Sequence, residues 1–158
     1  MKMLVKKEQP YAQTEVPVER TKAQIERMLL DAGAEAVRIT TMASGEVTVE
    51  FVLETKVSGV QKKFGVKLKS PLVVRQRGSR YNKFTERDHR AEVRMLHWYL
   101  KSLLEAAQYG LMSTERIFFS HIMFHLSDGS TATAGEMAAQ ALIGGNPALL
   151  PGAMKDGD

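Results

Sequence analysis

The spacing of hydrophobic positions along the chain changes from a helical repeat to a strand repeat and back again. In the first periodic stretch, Val18, Ile25, Leu29 and Ala32 fall on one face at helical spacing, and Gly33 follows at a position typical of a helix end. The pattern therefore predicts an N-terminal helix from Val18 to Ala32.

An alternation of apolar and polar residues with a period of two replaces the helical repeat after Gly33. The alternating segments cover residues 37–40, 47–54 and 63–69, with turns at Ala43–Gly45 and Ser58–Gly59. This pattern is typical of a three-stranded antiparallel sheet that is apolar on one face and charged on the other. Glu50 and Glu54 are expected to lie opposite lysines of the third strand.

The periodic pattern stops again before a long second helix. Residues 71–84 predict a mobile loop centred on Gly78. Helical spacing returns after Thr85, the predicted N-cap, and continues to about Tyr109. Trp98 and its neighbours widen the apolar surface of this helix beyond one stripe, so more than the sheet must cover it.

Two shorter helices are predicted near the C-terminal end of the chain. Ser113 is a suitable cap for a helix that continues to Phe124. Thr133 and Glu136 have the spacing of a capping box, which predicts a further helix to Leu142.

These elements define an α+β fold class with an N-terminal helix, a three-stranded antiparallel sheet, a long helix in the C-terminal half and one or two short helices. A chain of 158 residues with 44% apolar content has the size of one domain with its own core. We expect that domain over residues 18–143, between a flexible lead-in at 1–17 and a flexible tail at 144–158.

Composition excludes several classes of function. The chain has no cysteine, which excludes a disulfide framework, a thiol nucleophile and cysteine-ligated zinc. It also lacks a P-loop, a dinucleotide-binding glycine fingerprint and a nucleophile elbow, so we expect neither enzymatic activity nor a cofactor. No apolar run is long enough for a signal peptide or a membrane span, which predicts a cytoplasmic protein of the host cell without a membrane partner.

Positive charge is concentrated in the middle of the chain. The segment from Lys56 to Lys83 contains nine basic residues and no aspartate or glutamate. The whole chain has 22 basic and 18 acidic residues, so thirteen basic residues face eighteen acidic ones outside this segment. Such an asymmetry favours a polyanionic partner more strongly than the net charge of +4 does.

Nucleic acid is the polyanion that this segment suits best, and we expect single-stranded DNA. Cationic side chains bind phosphates, and an aromatic ring can stack on an unpaired base. The predicted binding residues are Lys63, Lys67 and Lys69 on the sheet and Arg75, Arg77, Arg80, Tyr81, Lys83 and Phe84 in the loop. The alternative interpretation is a solvated charged face beside a mobile loop.

Two weaker patterns suggest metal chemistry. Glu54-Thr55-Lys56 resembles part of the PD-(D/E)xK nuclease motif, in which carboxylates hold Mg²⁺ and the lysine helps to activate water. The Pro-Asp element of that motif is missing, and the step falls on the second predicted strand rather than the third. His121 and His125 are four residues apart, but a metal site needs further ligands. We therefore predict no metal ion.

Two kinds of protein contact remain open. The wide apolar surface around Trp98 and Tyr99 suits a homo-oligomer formed through the long helix. The basic segment could instead meet an acidic surface of a host protein, in which case the chain would recruit or inhibit that protein.

Four segments resemble a group of small proteins found in phages, prophages and integrated elements: VERTKAQIE at 18–26, KSLLEA at 101–106 after Trp98, LSDG at 126–129 and PALLP at 147–151. The resemblance implies a mobile-element origin and a role near phage DNA metabolism, and it implies no active site. It is weakest over residues 69–87, so it does not extend to the predicted binding loop. The order of elements also resembles that in single-strand annealing proteins and double-stranded-RNA-binding domains, at the level of fold alone.

Overall fold

The computed structural model describes residues 2–4 and 14–144, which form helices and three small β-sheets. In chain order the elements are β1 (Lys2–Leu4), α1 (Val18–Asp31), β2 (Ala36–Thr41), β3 (Val47–Val57), β4 (Val60–Lys69), β5 (Leu72–Gly78), β6 (Lys83–Arg87), α2 (His89–Gln108), α3 (Thr114–Ile117), a 3₁₀ turn (Phe119–His121), β7 (Met123–His125), β8 (Thr131–Thr133) and α4 (Ala134–Gly144). The fold class is α+β, as the hydrophobic pattern predicts.

Helix α1 forms where predicted because its apolar residues recur on one face. Thr21, Ile25 and Leu29 are buried on that face. The chain leaves the helix at Gly33, whose φ of +91° favours glycine. The N–H of Ala34 then donates to the carbonyl of Leu29 at 3.0 Å, which satisfies one of the last carbonyls of the helix.

Strands β2, β3 and β4 form the predicted antiparallel meander. Their ladder places Glu50 opposite Lys67 and Glu54 opposite Lys63, so the expected cross-strand pairing of glutamates with lysines is confirmed. The intervening residues of β3 and β4 point to the other face, where they are mostly buried. The meander is therefore apolar on one side and charged on the other.

The core lies between the apolar face of this meander and the two long helices. Its most deeply buried side chains include Ile25, Leu29, Val49, Val66, Val93 and Leu100. Phe118, directly after α3, is also fully buried, and its ring packs edge-to-face against Phe51 with the centroids 5.6 Å apart. Burial of each such side chain contributes about 2 kcal/mol of stability.

Residues 72–87 form an antiparallel hairpin where the sequence predicts a mobile loop, so that prediction is wrong. Strand β5 pairs with β6, and β1 adds a parallel strand on the other edge of β5. Val73 in β5 is completely buried. Phe84 is the only apolar residue of β6, so this strand carries no alternating hydrophobic signal that the sequence could reveal.

Helix α2 begins later than predicted because Asp88, not Thr85, is its N-cap. The carboxylate of Asp88 accepts a hydrogen bond from the N–H of Ala91 at 2.9 Å. Thr85 lies inside β6. The residues that the periodicity assigns to the first turn of the helix therefore belong to the end of β6, and the helix begins after them.

The helix predicted from Ser113 to Phe124 is too long. Helix α3 ends at Ile117, and the chain continues through the 3₁₀ turn into β7. Ile122 forms a β-bridge with Val66, so this segment lies against the outer edge of β4. Pairing with the edge strand β4 therefore places Ile122 in an extended conformation, although the local sequence pattern predicts a helix there.

The capping box at the start of α4 is confirmed. The N–H of Thr133 donates to the carboxylate of Glu136 at 2.8 Å, and the N–H of Glu136 donates to the hydroxyl of Thr133 at 3.2 Å. Of the predicted tail, only Gly144 lies within the described residues, as the last residue of α4. Of the predicted lead-in, β1 and residues 14–17 are described, and residues 1 and 5–13 lie outside them. The described helices include none that is long and apolar enough to cross a membrane.

Candidate nucleic-acid interface

The turn at the end of hairpin β5–β6 depends on a glycine. Gly78 has a φ of +113°, and a β-carbon at this position would collide with the backbone carbonyl of Asn82. The N–H of Asn82 donates to the carbonyl of Ser79 at 3.3 Å and closes the turn. The central residues of the predicted loop therefore have a defined conformation.

Two aromatic and two cationic side chains are exposed at this turn, and we call Arg80, Tyr81, Lys83 and Phe84 the hairpin tip. Tyr81 is 95% exposed and Phe84 is 54% exposed. Arg80 and Lys83 are exposed as well. Among the described residues, neither of these two cations forms a salt bridge, whereas three other arginines of the hairpin do, in the pairs Arg75–Asp88, Arg77–Glu86 and Arg87–Glu92. The hairpin tip thus combines aromatic surface with positive charge that no described carboxylate pairs with.

The base of the hairpin is held by the carboxylate of Glu92, which is completely buried. It accepts hydrogen bonds from the backbone N–H of Val73 at 2.9 Å and from Nε of Arg87 at 2.8 Å, and Nδ1 of His89 lies 3.3 Å away. The hydrogen bond with Glu92 raises the pKa of Arg87. Arg87 also donates to the carbonyl of Ser44 in the turn between β2 and β3. One carboxylate therefore joins β5, β6 and α2 and anchors the hairpin to the core.

An open cleft of about 550 Å³ lies beside the hairpin base, and arginines dominate its lining. Its charged residues are Arg75, Arg77, Arg87 and Arg90 together with Glu15, Glu86 and Asp88, and His89 also lines it. Nε of Arg77 is 2.8 Å from the Glu86 carboxylate, and Arg75 pairs with Asp88. Most of the positive charge in this cleft is therefore balanced by acidic neighbours.

Lys63, Lys67 and Lys69 of β4 share one face of the meander, but carboxylates lie beside the first two. Nζ of Lys63 is 2.7 Å from Glu35, and this contact raises the pKa of Lys63. Nζ of Lys67 is 4.0 Å from the carboxylate of Glu50, which Arg38 also contacts at 2.6 Å. The charge on this part of the sheet is therefore of mixed sign.

Lys69, at the end of β4, lies near the start of α4. The pKa of Glu136 is lowered first by the hydrogen bond from the backbone of Thr133, and further by the hydroxyl of Thr133 and the charges of Lys69 and Lys67. Glu136 therefore offsets part of the positive charge at this end of the sheet.

A second exposed aromatic surface lies on α2, and we call it the Trp98 groove. Its volume is about 540 Å³, and its lining consists of Lys69, Pro71, Met95, Leu96, Trp98, Tyr99 and Ser102. The guanidinium carbon of Arg94 and the ammonium of Lys101 lie 5.5 Å and 5.0 Å from the centroid of the Trp98 ring. The hydrophobic pattern alone assigns Trp98 to packing. The signal for a functional surface is the spacing of Arg94, Trp98 and Lys101, which share one face of a helix.

The residues of the partial nuclease motif do not converge with further ligands. Glu54 lies opposite Lys63 in the ladder, and the hydroxyl of Thr55 donates to Glu115 at 2.9 Å. Lys56 is exposed on β3 near the hairpin turn. In the part of the chain that the structure describes, no three histidine, aspartate or glutamate residues are placed to hold a metal ion.

The two histidines spaced four residues apart do not share a helix. His121 belongs to the 3₁₀ turn and His125 to β7. Nε2 of His121 is instead 2.9 Å from the hydroxyl of Tyr99, which connects this turn to α2. His121 therefore makes a contact between two elements of the fold, and its four-residue spacing from His125 does not form a metal-binding pair on one helix.

The chain matches no protein-family model, no curated protein and no solved structure. The geometry of the predicted binding residues therefore carries the functional argument. They fall into three groups: Arg80, Tyr81, Lys83 and Phe84 at the hairpin tip, Arg75 and Arg77 in salt bridges along β5, and Lys63, Lys67 and Lys69 on the charged face of the meander.

Proposed function

We propose that this protein binds nucleic acid through the hairpin tip, with single-stranded DNA as its favoured ligand. The observation that carries the proposal is a Tyr81 that is 95% exposed between Arg80 and Lys83, two cations outside every salt bridge of the described residues. Guanidinium and ammonium groups bind phosphate oxygens, and an exposed aromatic ring stacks on a base.

A single strand suits this arrangement better than a duplex. An unpaired base can offer its face to Tyr81, whereas the bases of a duplex are already stacked on one another. Phe84 lies opposite Arg77 in the hairpin ladder, which adds a second exposed ring with a cation beside it. The resemblance to small phage and prophage proteins favours DNA over RNA, and our proposal includes a role in the DNA metabolism of a mobile element.

We leave Lys63 and Lys67 out of the primary contact surface. Their carboxylate neighbours Glu35 and Glu50 would have to be displaced before a phosphate could take their place. A phosphate that approached this face would also meet the negative charge of those same carboxylates. At the hairpin tip, a phosphate can contact Arg80 and Lys83 without displacing a described carboxylate.

The test compares two pairs of charge-neutralising substitutions by fluorescence anisotropy at two salt concentrations, with labelled single-stranded and double-stranded oligonucleotides. Arg80→Gln with Lys83→Gln removes two positive charges from the hairpin tip. Lys63→Gln with Lys67→Gln removes the same charge from the sheet and serves as the matched control. Each lost phosphate contact should flatten the dependence of log K on log salt by about 0.7 for a single strand, so the first pair should lower the slope by about 1.4.

Equal losses in the two double variants would contradict the proposal, because they would show that only net charge matters. A wild-type protein that binds neither kind of oligonucleotide would also end it. If such a protein retained an acidic host protein from a nuclease-treated lysate, the interaction hypothesis would replace nucleic-acid binding.

A further inference from the structure

Trp98 exposes more aromatic surface than its position on a core helix requires. It is the single tryptophan of the chain and is 43% exposed, and the neighbouring Tyr99 is 45% exposed. Aromatic rings gain most when they are buried, so this much exposed ring leaves stabilisation unrealised in the free protein. A ligand that covers the ring would recover it.

Positive charge surrounds this ring on more than one element. Lys69 lines the groove from the end of β4, whereas Arg94 and Lys101 lie over the indole outside the groove lining, and Nη1 of Arg94 donates to Oε1 of Gln24 at 2.7 Å. Among the residues that the structure describes, no aspartate or glutamate lines the groove. Burial lowers the pKa of His97, and the charges of Arg94 and Lys101 lower it further, in keeping with a positive potential here. Lys101 pairs at 3.5 Å with Glu105, an exposed helical pair of the kind that contributes little and exchanges readily.

The groove also lies in line with the base of the hairpin. Arg90 lines the cleft at that base, and Arg94, Trp98 and Lys101 follow it along α2 at spacings of four, four and three residues, which keeps them on one side of the helix. At 1.5 Å per residue, Trp98 lies about 12 Å along the helix axis from Arg90. A single strand of a few nucleotides can cover the distance from the hairpin base to the groove, and a longer strand is needed to reach the hairpin tip as well.

We propose that the Trp98 groove is a second nucleobase-binding site, in which a base stacks on the part of the indole that lines the groove while its phosphates lie against Lys69 and, beside the groove, Arg94 and Lys101. The inference rests on the proposed function and deepens it, because one single strand would contact both the hairpin tip and the groove. A nucleotide joins a planar apolar base to an anionic phosphate, which matches an aromatic ring among cations. A two-fold contact with a second copy would instead bring the same three cations of both copies together.

Substitutions of Trp98 separate stacking from packing. Trp98→Leu keeps an apolar side chain without an aromatic face, and Trp98→Phe keeps an aromatic face. We expect Trp98→Leu to weaken the binding of an oligothymidylate by roughly 5- to 150-fold, the range for loss of one stacked base, and Trp98→Phe to retain most of the affinity. Tyr109→Leu, at an aromatic residue that is 78% exposed just after α2, is the matched control and should bind like the wild type.

The fluorescence of Trp98 provides a direct readout because no other tryptophan contributes to it. Stacking of thymine on the indole should quench the emission during titration with the oligothymidylate. The quenching should persist at saturating oligonucleotide in Arg80→Gln with Lys83→Gln, since that variant lacks contacts at the hairpin tip alone.

Outcomes at the two sites are distinguishable. If the oligothymidylate binds in an Arg80- and Lys83-dependent way while Trp98 emission and the affinity of Trp98→Leu stay unchanged, the second site is refuted and the hairpin proposal stands. If no oligonucleotide binds, both fail. A blue shift of the emission on raising the protein concentration, without quenching by oligothymidylate, would show that a second copy covers the groove and would overturn the nucleobase site.

Discussion

At the scale of single residues, the most consequential side chain is Glu92, which has no exposed surface and yet carries a carboxylate. Removing such a group from water costs several kcal/mol unless hydrogen bonds replace the lost solvent. Here a backbone N–H from Val73 and the guanidinium of Arg87 supply those hydrogen bonds, and His89 lies beside them. The buried carboxylate of Glu92 therefore holds the hairpin with the proposed contact surface against the core.

The first prediction is that Glu92→Ala strongly destabilises the fold. It leaves the guanidinium of Arg87 and the N–H of Val73 without their partner, and loss of one member of a buried ion pair costs about 3 to 5 kcal/mol. Urea unfolding measures the change in the free energy of unfolding. Glu105→Ala, at an exposed glutamate of the same helix, should cost less than about 1 kcal/mol. A Glu92→Ala protein as stable as the Glu105→Ala protein would show that the hairpin is anchored in another way.

At the scale of elements, the hairpins β3–β4 and β5–β6 differ in how the sequence specifies them. Strands β3 and β4 carry an alternating hydrophobic pattern and meet at Ser58–Gly59, where both residues have positive φ, as in the preferred two-residue hairpin turns. Strands β5 and β6 pair with little hydrophobic alternation, and the turn between them requires Gly78. The second hairpin is therefore specified by its turn and by its anchor at Glu92.

The second prediction compares the glycines at the two hairpin ends. Gly59 has a φ of +82° with open space around the site of a β-carbon, so Gly59→Ala should cost only the strain of the left-handed conformation, about 1 kcal/mol. Gly78 has a φ of +113° and in addition a backbone carbonyl in the way, so Gly78→Ala should force the turn to rearrange. We expect large amide chemical-shift changes over residues 79–83 and weaker binding of single-stranded DNA for Gly78→Ala alone. Matching spectra and affinities for the two variants would contradict this account.

At the scale of the whole molecule, acidic residues that are distant in sequence lie beside several cations of the basic segment. The mid-chain segment from Lys56 to Lys83 lacks acids, but the fold brings Glu35, Glu50 and Asp88 to Lys63, Lys67 and Arg75. Among the described residues, the cations of this segment outside every salt bridge are Lys56, Lys62, Lys69, Arg80 and Lys83, and those at the hairpin tip lie beside the exposed rings of Tyr81 and Phe84. The homo-oligomer expected from the wide apolar surface of α2 stays a prediction.

The third prediction concerns the dependence of stability on pH. Burial lowers the pKa of both His97 and His121 in the folded protein, with the charges of Arg94 and Lys101 adding to the effect at His97. Because the unfolded chain then binds protons more readily, the stabilisation is complete above about pH 6.5 and is lost as the pH falls through the lower folded values. The free energy of unfolding from urea titrations should therefore decrease as the pH falls below about 6.5.

Replacement of the two histidines tests this assignment. His97→Gln together with His121→Gln should flatten the decrease below about pH 6.5. The same variant measured at about pH 8, where neutral histidine predominates in both states, gives the cost of the substitution itself. An equally steep decrease in the double variant would assign the pH dependence to other groups.

Local pattern was sufficient for α1, the meander and the capping box of α4, because each of these signals lies within a few residues of the chain. That residues 72–87 are a hairpin depended on tertiary contacts as well as on the turn at Gly78, since β6 has one apolar residue and its anchor, Glu92, acts from the following helix. Tertiary contacts also decided which cations are balanced, because Glu35 reaches Lys63 through the sheet and not through sequence proximity. Hydrophobic periodicity reports which face of an element is buried, whereas the pairing of charges depends on which elements the fold brings together.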